Sequence, residues 1–255
     1  MRVGWALISI ALFLAIWQGV VWITNYPSFI LPSPGDVATR WIQLVVDGAI
    51  FRHAWVTLQE ILIGLVLGMS MATLTGYGLA HSEVAERLLT PYIVASQSVP
   101  TVAIAPLLVI WFGTGKLSKI LVCALIVFFP ILVNTVVGIR SVDPRLRDLM
   151  RTLEATRWQT IWLLEVPAAL PVLLGGLKVG ATLAVIGAVV GEFVASDRGL
   201  GYLLKQGQQL YDTPLIFVGV GTLILLAQSL YGVVALAERH LLRWRTKVSS
   251  YGGNK

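Results

Sequence analysis

Residues that could carry out catalysis or bind a metal are few in this sequence, and they form no recognisable pattern. The three histidines, His53, His81 and His240, are not spaced as metal ligands. Cys123 is the only cysteine and lies in an apolar run, so it predicts neither an internal disulfide nor a thiolate metal site. An enzyme site inside a membrane would need paired catalytic groups at membrane depth, and no such pair is evident. The sequence therefore predicts no catalytic residue and no metal site, which argues against an intramembrane enzyme.

Charged side chains inside long apolar stretches carry more information. Glu60, Lys178 and Glu192 occupy such positions, and a charge at membrane depth is costly unless it faces protein or water. Glu60 is either a cavity or gate residue or the partner of a basic group on a neighbouring helix. Lys178 either extends along its helix to the membrane surface or pairs with Glu60. Glu192 follows a stretch of small residues and is either part of an outer gate or a helix-end carboxylate in water.

Uncharged polar residues within the apolar segments mark a candidate path for a solute. Three of them cluster beside two prolines, which loosen a helix and free polar groups to line a path. Two more follow one another in the next apolar segment. The predicted substrate pathway comprises Gln97, Ser98, Thr101, Asn134, Thr135 and Glu192.

The elements that must position these residues are apolar and long. The chain has 255 residues, of which 56% are hydrophobic and only 13% are charged, against roughly 25% charged in soluble domains. Its mean hydropathy is +0.80. Six segments approach the roughly 20 apolar residues that span a bilayer, and they lack the alternation of membrane strands. They are residues 3–23, 55–80, 92–112, 118–139, 170–195 and 214–236. The sequence predicts an all-α membrane protein with about six transmembrane helices, the first of them retained because it exceeds a signal-peptide core of about 7–15 residues.

The connections between these segments predict the orientation. With the N-terminus inside, twelve lysines and arginines fall on the inner side and six on the outer side. Basic residues favour the cytoplasmic side, so both termini are expected in the cytoplasm. The net charge of +6 sits near segment ends, which suits a membrane protein better than a nucleic-acid-binding one. Residues 37–46 form an amphipathic segment, which is expected to lie along the periplasmic surface of the membrane.

Residues 143–167 form the longest polar insert, on the cytoplasmic side. Asp143 and Pro144 are typical of a helix start. Two sets of apolar residues at helical spacing follow, opposite an arginine-rich face. We predict two short amphipathic helices at the cytoplasmic surface, with Pro167 ending the second before the fifth span.

This insert resembles the signature loop of the permease subunits of type I ABC importers. That signature reads Glu-Ala-Ala, three residues, Gly, nine residues, Ile, one residue, Leu-Pro. Asp148-Leu149-Met150 occupies the Glu-Ala-Ala place, Glu154 occupies the glycine place, and Leu164 and Val166-Pro167 complete the register. Glutamate at the glycine position makes a left-handed turn costlier by roughly 1 kcal/mol, so a differently shaped turn is an open alternative.

The resemblance extends over about residues 30–240 and is closest to the nitrate, sulfonate, taurine and thiamine-precursor branch. It rests on short stretches in a shared order: Leu31-Pro32-Ser33-Pro34, Val99-Pro100, Ala105-Pro106-Leu107, Trp111-Phe112-Gly113, Phe129-Pro130, Asn134-Thr135, Pro167-Ala168-Ala169-Leu170-Pro171, Gly191-Glu192-Phe193 and Gly199-Leu200-Gly201. The residues around Phe129-Pro130 favour a permease for pyrimidine thiamine precursors or riboflavin. Sulfonates, taurine and nitrate remain the other candidate substrates.

The resemblance implies a mechanism and a set of partners. Two copies of the permease form a dimer in the plasma (inner) membrane, and a separate extracytoplasmic binding protein delivers the substrate. The loop of each copy docks on one of two ATP-binding subunits, which hold ATP and Mg. The permease itself is then no enzyme and binds no cofactor, in agreement with the lack of a Gly-x-x-x-x-Gly-Lys-Ser/Thr loop. The implied coupling residues are Asp148, Leu149, Met150, Arg151, Glu154, Ala155, Arg157, Trp158 and Pro167.

Three regions follow from this interpretation. Residues 1–52 hold the first helix and the amphipathic segment, residues 53–240 form the permease core with its coupling loop, and residues 241–255 form a basic cytoplasmic tail. The alternative is an ion-coupled secondary transporter that needs no ATPase. Such transporters often show inverted repeats, and no clear repeat relates the two halves of this chain.

Overall fold

The computed structural model describes residues 2–97 and 100–243. Within these residues the chain forms α-helices and one π-helical turn, without strands. The helices are α1 Arg2–Thr24, α2 Pro34–Val46, α3 Ala49–Ala80, α4 Glu83–Gln97, α5 Thr101–Phe112, α6 Lys116–Arg140, α7 Pro144–Thr152, α8 Arg157–Thr160, α9 Val166–Val194, α10 Leu200–Gln209 and α11 Thr213–Leu241, and the π-helical turn is Ile161–Glu165.

Four helical stretches in the described part of the chain are long and apolar enough to cross a membrane. They are Ala49–Ala80, Lys116–Arg140, Arg157–Val194 and Thr213–Leu241. Two shorter apolar helices, Ile8–Thr24 and Val102–Phe112, fall in the first and third predicted segments. The all-α membrane fold is confirmed, while the count of six spans stays a prediction.

The third predicted segment is not one continuous helix. α4 ends at Gln97 and α5 begins at Thr101, with Pro100 in extended conformation before it. Proline lacks a backbone donor and disfavours helical geometry in the residue that precedes it. The expectation of a single helix over residues 92–112 was therefore wrong.

The core is built from α3, α6 and α9, which approach closely because glycines face small residues. A Cβ atom at Gly68 of α3 would lie 2.6 Å from the carbonyl oxygen of Ala124 in α6. A Cβ atom at Gly187 of α9 would lie 2.8 Å from the Cα atom of Cys123. Small residues at helix crossings allow such close backbone contact in membranes, so this bundle is a rigid frame for the polar groups it carries.

The predicted amphipathic segment is a helix, α2. Ser33 and Asp36 form a capping box at its start, with the Asp36 N–H donating to Ser33 Oγ over 3.1 Å. Leu44 is buried on the inner face of α2, and Arg40 forms a salt bridge of 2.8 Å with Asp212, which precedes α11. The helix is thus anchored to the bundle as well as amphipathic.

Candidate coupling and translocation sites

The cytoplasmic insert begins as predicted. Asp143 caps α7, where its Oδ1 accepts a hydrogen bond from the Arg145 N–H over 2.9 Å, and Pro144 is the first helical residue. The apolar residues of α7 remain uncovered within the chain: Leu149 is 52% exposed and Leu153, just beyond it, 67%. An apolar face left open beside polar residues is typical of a surface that another molecule covers.

The turn after α7 keeps the shape that a glycine would allow. Glu154 has φ +52°, in the left-handed region. Its N–H donates to the Arg151 carbonyl, and the N–H of Ala155 donates to the Met150 carbonyl over 3.0 Å. These two bonds form a Schellman motif, which usually places glycine at the Glu154 position. The alternative of a differently shaped turn was therefore wrong, and glutamate adopts the conformation at a cost of about 1–2 kcal/mol.

The second half of the insert differs from the prediction. Thr156 and Gln159 form a capping box at the start of α8, so a new helix begins there as predicted. α8 then runs through the π-helical turn into α9 without a break, so Pro167 does not end an element. The Val166 N–H donates to the carbonyl of Ile161, five residues back. This wider turn shifts the hydrogen-bond ladder just before Pro167, so the helix continues past a residue that lacks a backbone donor.

A buried carboxylate ties this insert to the rest of the bundle. Glu165 is 3% exposed and accepts a hydrogen bond from Tyr77 Oη over 3.1 Å. Its Oε1 lies 3.0 Å from Nε2 of His81 and 3.4 Å from Nε of Arg147. Arg147 also donates to the Ile139 carbonyl over 2.8 Å. One side chain thus links α7, the π-helical turn and the end of α3.

Sequence reasoning missed this cluster. Glu165 occupies the variable place between two motif positions, and Tyr77 and His81 lie more than eighty residues away in the sequence. The available signals were a lone carboxylate in an apolar run and the four-residue spacing of Tyr77 and His81, which places both on one helix face.

The cluster lines a cleft of about 1120 Å³ between the insert and the bundle. The lining of this cleft has more positive than negative charge, since several arginines face the single carboxylate of Glu165. The arginines that line it are Arg87, Arg140, Arg147, Arg151 and Arg157. Such a concentration of one sign of charge attracts anionic groups and acidic surfaces.

Other coupling candidates are exposed on the α7–α8 hairpin, which comprises residues 144–160. Trp158 is 69% exposed. Asp148 and Arg151 form an exposed salt bridge of 3.4 Å. The predicted coupling residues before Pro167 therefore lie on one short, largely exposed segment, whose role in docking stays a prediction.

The predicted pathway residues are placed less uniformly. Ser98 lies outside the described residues, as do the side chains of Gln97 and Thr101. Asn134 donates to the Pro130 carbonyl over 2.8 Å, and Thr135 donates to the Ile131 carbonyl over 2.8 Å. These two side chains bond within their own helix, and their contact with a solute stays a prediction.

The intramembrane charges pair differently from the expectation. Lys178 bonds to Glu238 of α11, and Glu60 lies 3.4 Å from Nζ of Lys119 in α6, so the proposed pairing of Lys178 with Glu60 was wrong. Glu60 therefore faces a basic group on a neighbouring helix, as the structural-pair interpretation requires, and a role in a cavity or gate stays a prediction.

Glu192 is fully buried and not a helix-end carboxylate in water, so that alternative was wrong. Its Oε1 accepts from Thr57 Oγ1 over 2.6 Å and its Oε2 accepts from the Gly201 N–H over 2.5 Å. The reason is α10, a short helix that the sequence analysis did not predict. α10 folds back over the end of α9 and covers the carboxylate.

Residues 64–243 match the sequence profile of the family described as binding-protein-dependent transport system inner membrane component. The chain belongs to this family. It is an ABC importer permease, and the permease resembles characterised members along nearly its whole length.

Three relatives illustrate the branch. The permease is 48% identical over 237 residues to a riboflavin transport system permease of Chloroflexus aurantiacus, covering 93% of this chain and 88% of the relative. It is 37% identical to a formylaminopyrimidine transport permease of Halalkalibacterium halodurans, covering 92% and 93%. It is 34% identical to a putative aliphatic sulfonates transport permease of Bacillus subtilis, covering 99% and 91%. The predicted branch is confirmed.

Solved structures confirm the fold. A chain of a methionine ABC transporter in inward-facing conformations superposes with a TM-score of 0.68 at 18% identity, covering 77% of the permease and 97% of that chain. A chain of an amino acid ABC transporter superposes with a TM-score of 0.61 at 16% identity, covering 78% and 96%. At these identities the likeness is one of fold.

Proposed function

We propose that the permease couples solute import to ATP hydrolysis on a separate subunit, and that the α7–α8 hairpin is the contact. The observation that carries this proposal is the exposed apolar face of Leu149, Leu153 and Trp158, in register with the family's signature loop. A partner groove that covers these side chains would gain roughly 1.5–3 kcal/mol for each one buried. ATP and Mg would bind the partner, of which two copies are needed, one for each permease.

The arrangement of charge supports a cytoplasmic position for this hairpin. The cleft beside it is lined by five arginines, and basic residues gather on the cytoplasmic side of membrane proteins. Both termini would then be cytoplasmic, in an inner membrane. We propose a homodimer of permeases that receives substrate from an extracytoplasmic binding protein.

We propose riboflavin or a pyrimidine thiamine precursor as the transported solute. Support comes from the 48% identity to a riboflavin permease, against 37% for a formylaminopyrimidine permease and 34% for a sulfonate permease. Sulfonates, taurine and nitrate are smaller solutes that carry a sulfonate or nitrate group, and they serve as the competing candidates in the test.

The coupling proposal is tested by mild extraction of the tagged permease and mass spectrometry of co-purifying proteins. An ATP-binding subunit in comparable amount is expected. Replacing Leu149 and Trp158 together by glutamate should abolish its recovery and ATP-driven uptake while the permease stays in the membrane. The matched control is a glutamate at Leu163, which is 70% exposed on the π-helical turn outside the hairpin. Ion-driven uptake by the permease alone, without an ATPase, would contradict the proposal.

The substrate proposal is tested by competition. Cells that express the complete transporter should take up labelled riboflavin, and unlabelled riboflavin, formylaminopyrimidine, taurine and nitrate are added in turn. Competition by riboflavin alone supports a flavin importer. Uptake of taurine or nitrate with no riboflavin uptake would contradict it.

A further inference from the structure

A second cluster of charged groups lies at the other end of α3, away from the coupling hairpin. Glu60, Glu192 and Lys119 are 1%, 0% and 4% exposed. Glu192 already accepts from Thr57 and Gly201, and Lys119 Nζ donates to Ser196 Oγ over 2.7 Å. These three buried groups would carry two negative charges and one positive charge if all were ionised.

The Glu60 carboxyl group is short of donors. Both of its oxygens are buried without a well-formed hydrogen bond, although Lys119 Nζ lies 3.4 Å from Oε1. The Glu60 and Glu192 carboxyl groups lie within hydrogen-bonding range of each other. Two carboxylates can only accept hydrogen bonds, so this contact lacks a proton that either group could donate.

Two of the described groups near the pair are engaged with other partners. The Gly199 N–H donates to Nδ1 of His53 over 3.0 Å, so that ring nitrogen is an acceptor and the imidazole is neutral. Lys116 donates to Gln59 over 3.2 Å. The titratable and charged groups near the pair come from four parts of the chain. They are Arg52 and His53 of α3, Lys116, Lys119 and Cys123 of α6, Asp197 and Arg198 of the loop after α9, and Tyr202 of α10.

We infer that Glu60 and Glu192 bind one proton between them, which makes this cluster a proton-binding site. The proton comes from solvent and joins one carboxylate, which then donates to the other. The cluster becomes neutral, and the unmet hydrogen bond of Glu60 is made. Carboxyl pairs that share a proton titrate as a unit, so the proton belongs to the pair.

The site controls the turn that covers it. Residues 196–201 are held by the Gly201 N–H to Glu192, by the Leu200 N–H to Thr57 Oγ1 over 2.8 Å, and by the Gly199 N–H to His53. Gly199 has φ +112°, and a Cβ atom there would collide with the Glu192 carboxyl group. Loss of the proton places two like charges in contact in a buried site, and water must enter to separate them. The turn is therefore expected to open as the proton leaves.

Glu60→Gln is the diagnostic substitution. Its amide donates to the Glu192 carboxylate without a dissociable proton, and its oxygen still faces Lys119, so the variant mimics the protonated pair. Glu238→Gln is the matched control, since Glu238 also pairs with a lysine on another helix, Lys178.

The first readout is the infrared carbonyl band of protonated carboxyl groups in the purified full-length permease in lipid. A band is expected at neutral pH in the unmodified protein, lost in Glu60→Gln and retained in Glu238→Gln. Absence of the band in the unmodified protein, or its persistence in Glu60→Gln, overturns the inference. This measurement requires neither an ATPase nor transport, so it does not depend on the proposed function.

The second readout is the native thiol of Cys123, which is fully buried beside the pair. Labelling by a neutral maleimide at alkaline pH should be faster in the unmodified protein than in Glu60→Gln by about tenfold, the factor that loss of one charged hydrogen bond corresponds to. Removal of the Glu60 charge would by itself favour the thiolate of Cys123 in the variant, so faster labelling of the unmodified protein reports access to the thiol. Equal labelling rates at every pH would overturn control of the turn.

Discussion

At the scale of single residues, Glu165 is the side chain on which the placement of the coupling hairpin depends. It is 3% exposed and joins His81, Arg147 and Tyr77. Glu165→Gln keeps the shape but removes the charge that both basic groups face. Hydrogen bonds to charged groups contribute about 1.5–3 kcal/mol, so we expect a lower free energy of unfolding by about 1–3 kcal/mol, measured by denaturant unfolding in detergent.

The control is Asp148→Asn, which breaks an exposed salt bridge with Arg151. Exposed pairs contribute about 0–1 kcal/mol, so this variant should unfold close to the unmodified permease. Equal loss of stability in the two variants would show that Glu165 is not a special anchor.

Glu154 provides a second test at the same scale. Its φ of +52° favours glycine, so Glu154→Gly should raise the free energy of unfolding by about 1 kcal/mol. Glu154→Ala keeps the Cβ atom and should not show this gain. Both are compared in the same unfolding assay, and a gain in the alanine variant equal to that of glycine would count against the backbone explanation.

At the scale of elements, the crossing of α3 and α6 is set by glycine. Gly68→Ala would place a Cβ atom 2.6 Å from the Ala124 carbonyl oxygen, which forces the two helices apart. Overpacking of this kind costs about 1–3 kcal/mol. The control is Gly78→Ala in the same helix, where nothing lies within 4 Å of the added atom. Helix propensity favours alanine there by up to about 1 kcal/mol, so thermal unfolding should shift in opposite directions for the two variants.

The helices also show which structural features the sequence alone predicts. Long apolar runs predict helices because spanning segments must satisfy their backbone internally, and Asp143 with Pro144 marked the start of α7 correctly. Pro167 misled because a proline can end a helix or open one, and the π-helical turn before it has no sequence signature. The pairing of Glu60 with Lys119 was missed because partners on different helices depend on rotation and depth, which hydrophobic runs do not encode.

At the scale of the whole molecule, the two polar clusters occupy opposite ends of α3. Thr57 and Glu60 lie near its start, and Tyr77 lies in its last turn. A helix of 32 residues is about 48 Å long, enough to cross a bilayer of about 40–45 Å with its headgroups. The coupling hairpin and the turn over Glu192 should therefore face opposite sides of the membrane.

This topology predicts a labelling pattern in oriented membranes. Trp158→Cys and Asp197→Cys place thiols at exposed positions on the hairpin and on the turn, and the native Cys123 is buried, so the unmodified permease is the control for background. A membrane-impermeant maleimide should label Trp158→Cys in inverted vesicles and Asp197→Cys in intact spheroplasts. Labelling of both from one side would mean that α3 does not span the bilayer. If Trp158→Cys were labelled in spheroplasts and Asp197→Cys in inverted vesicles, α3 would still span the bilayer. The arginine-lined cleft would then lie outside the cell, where no ATP-binding subunit could reach the hairpin.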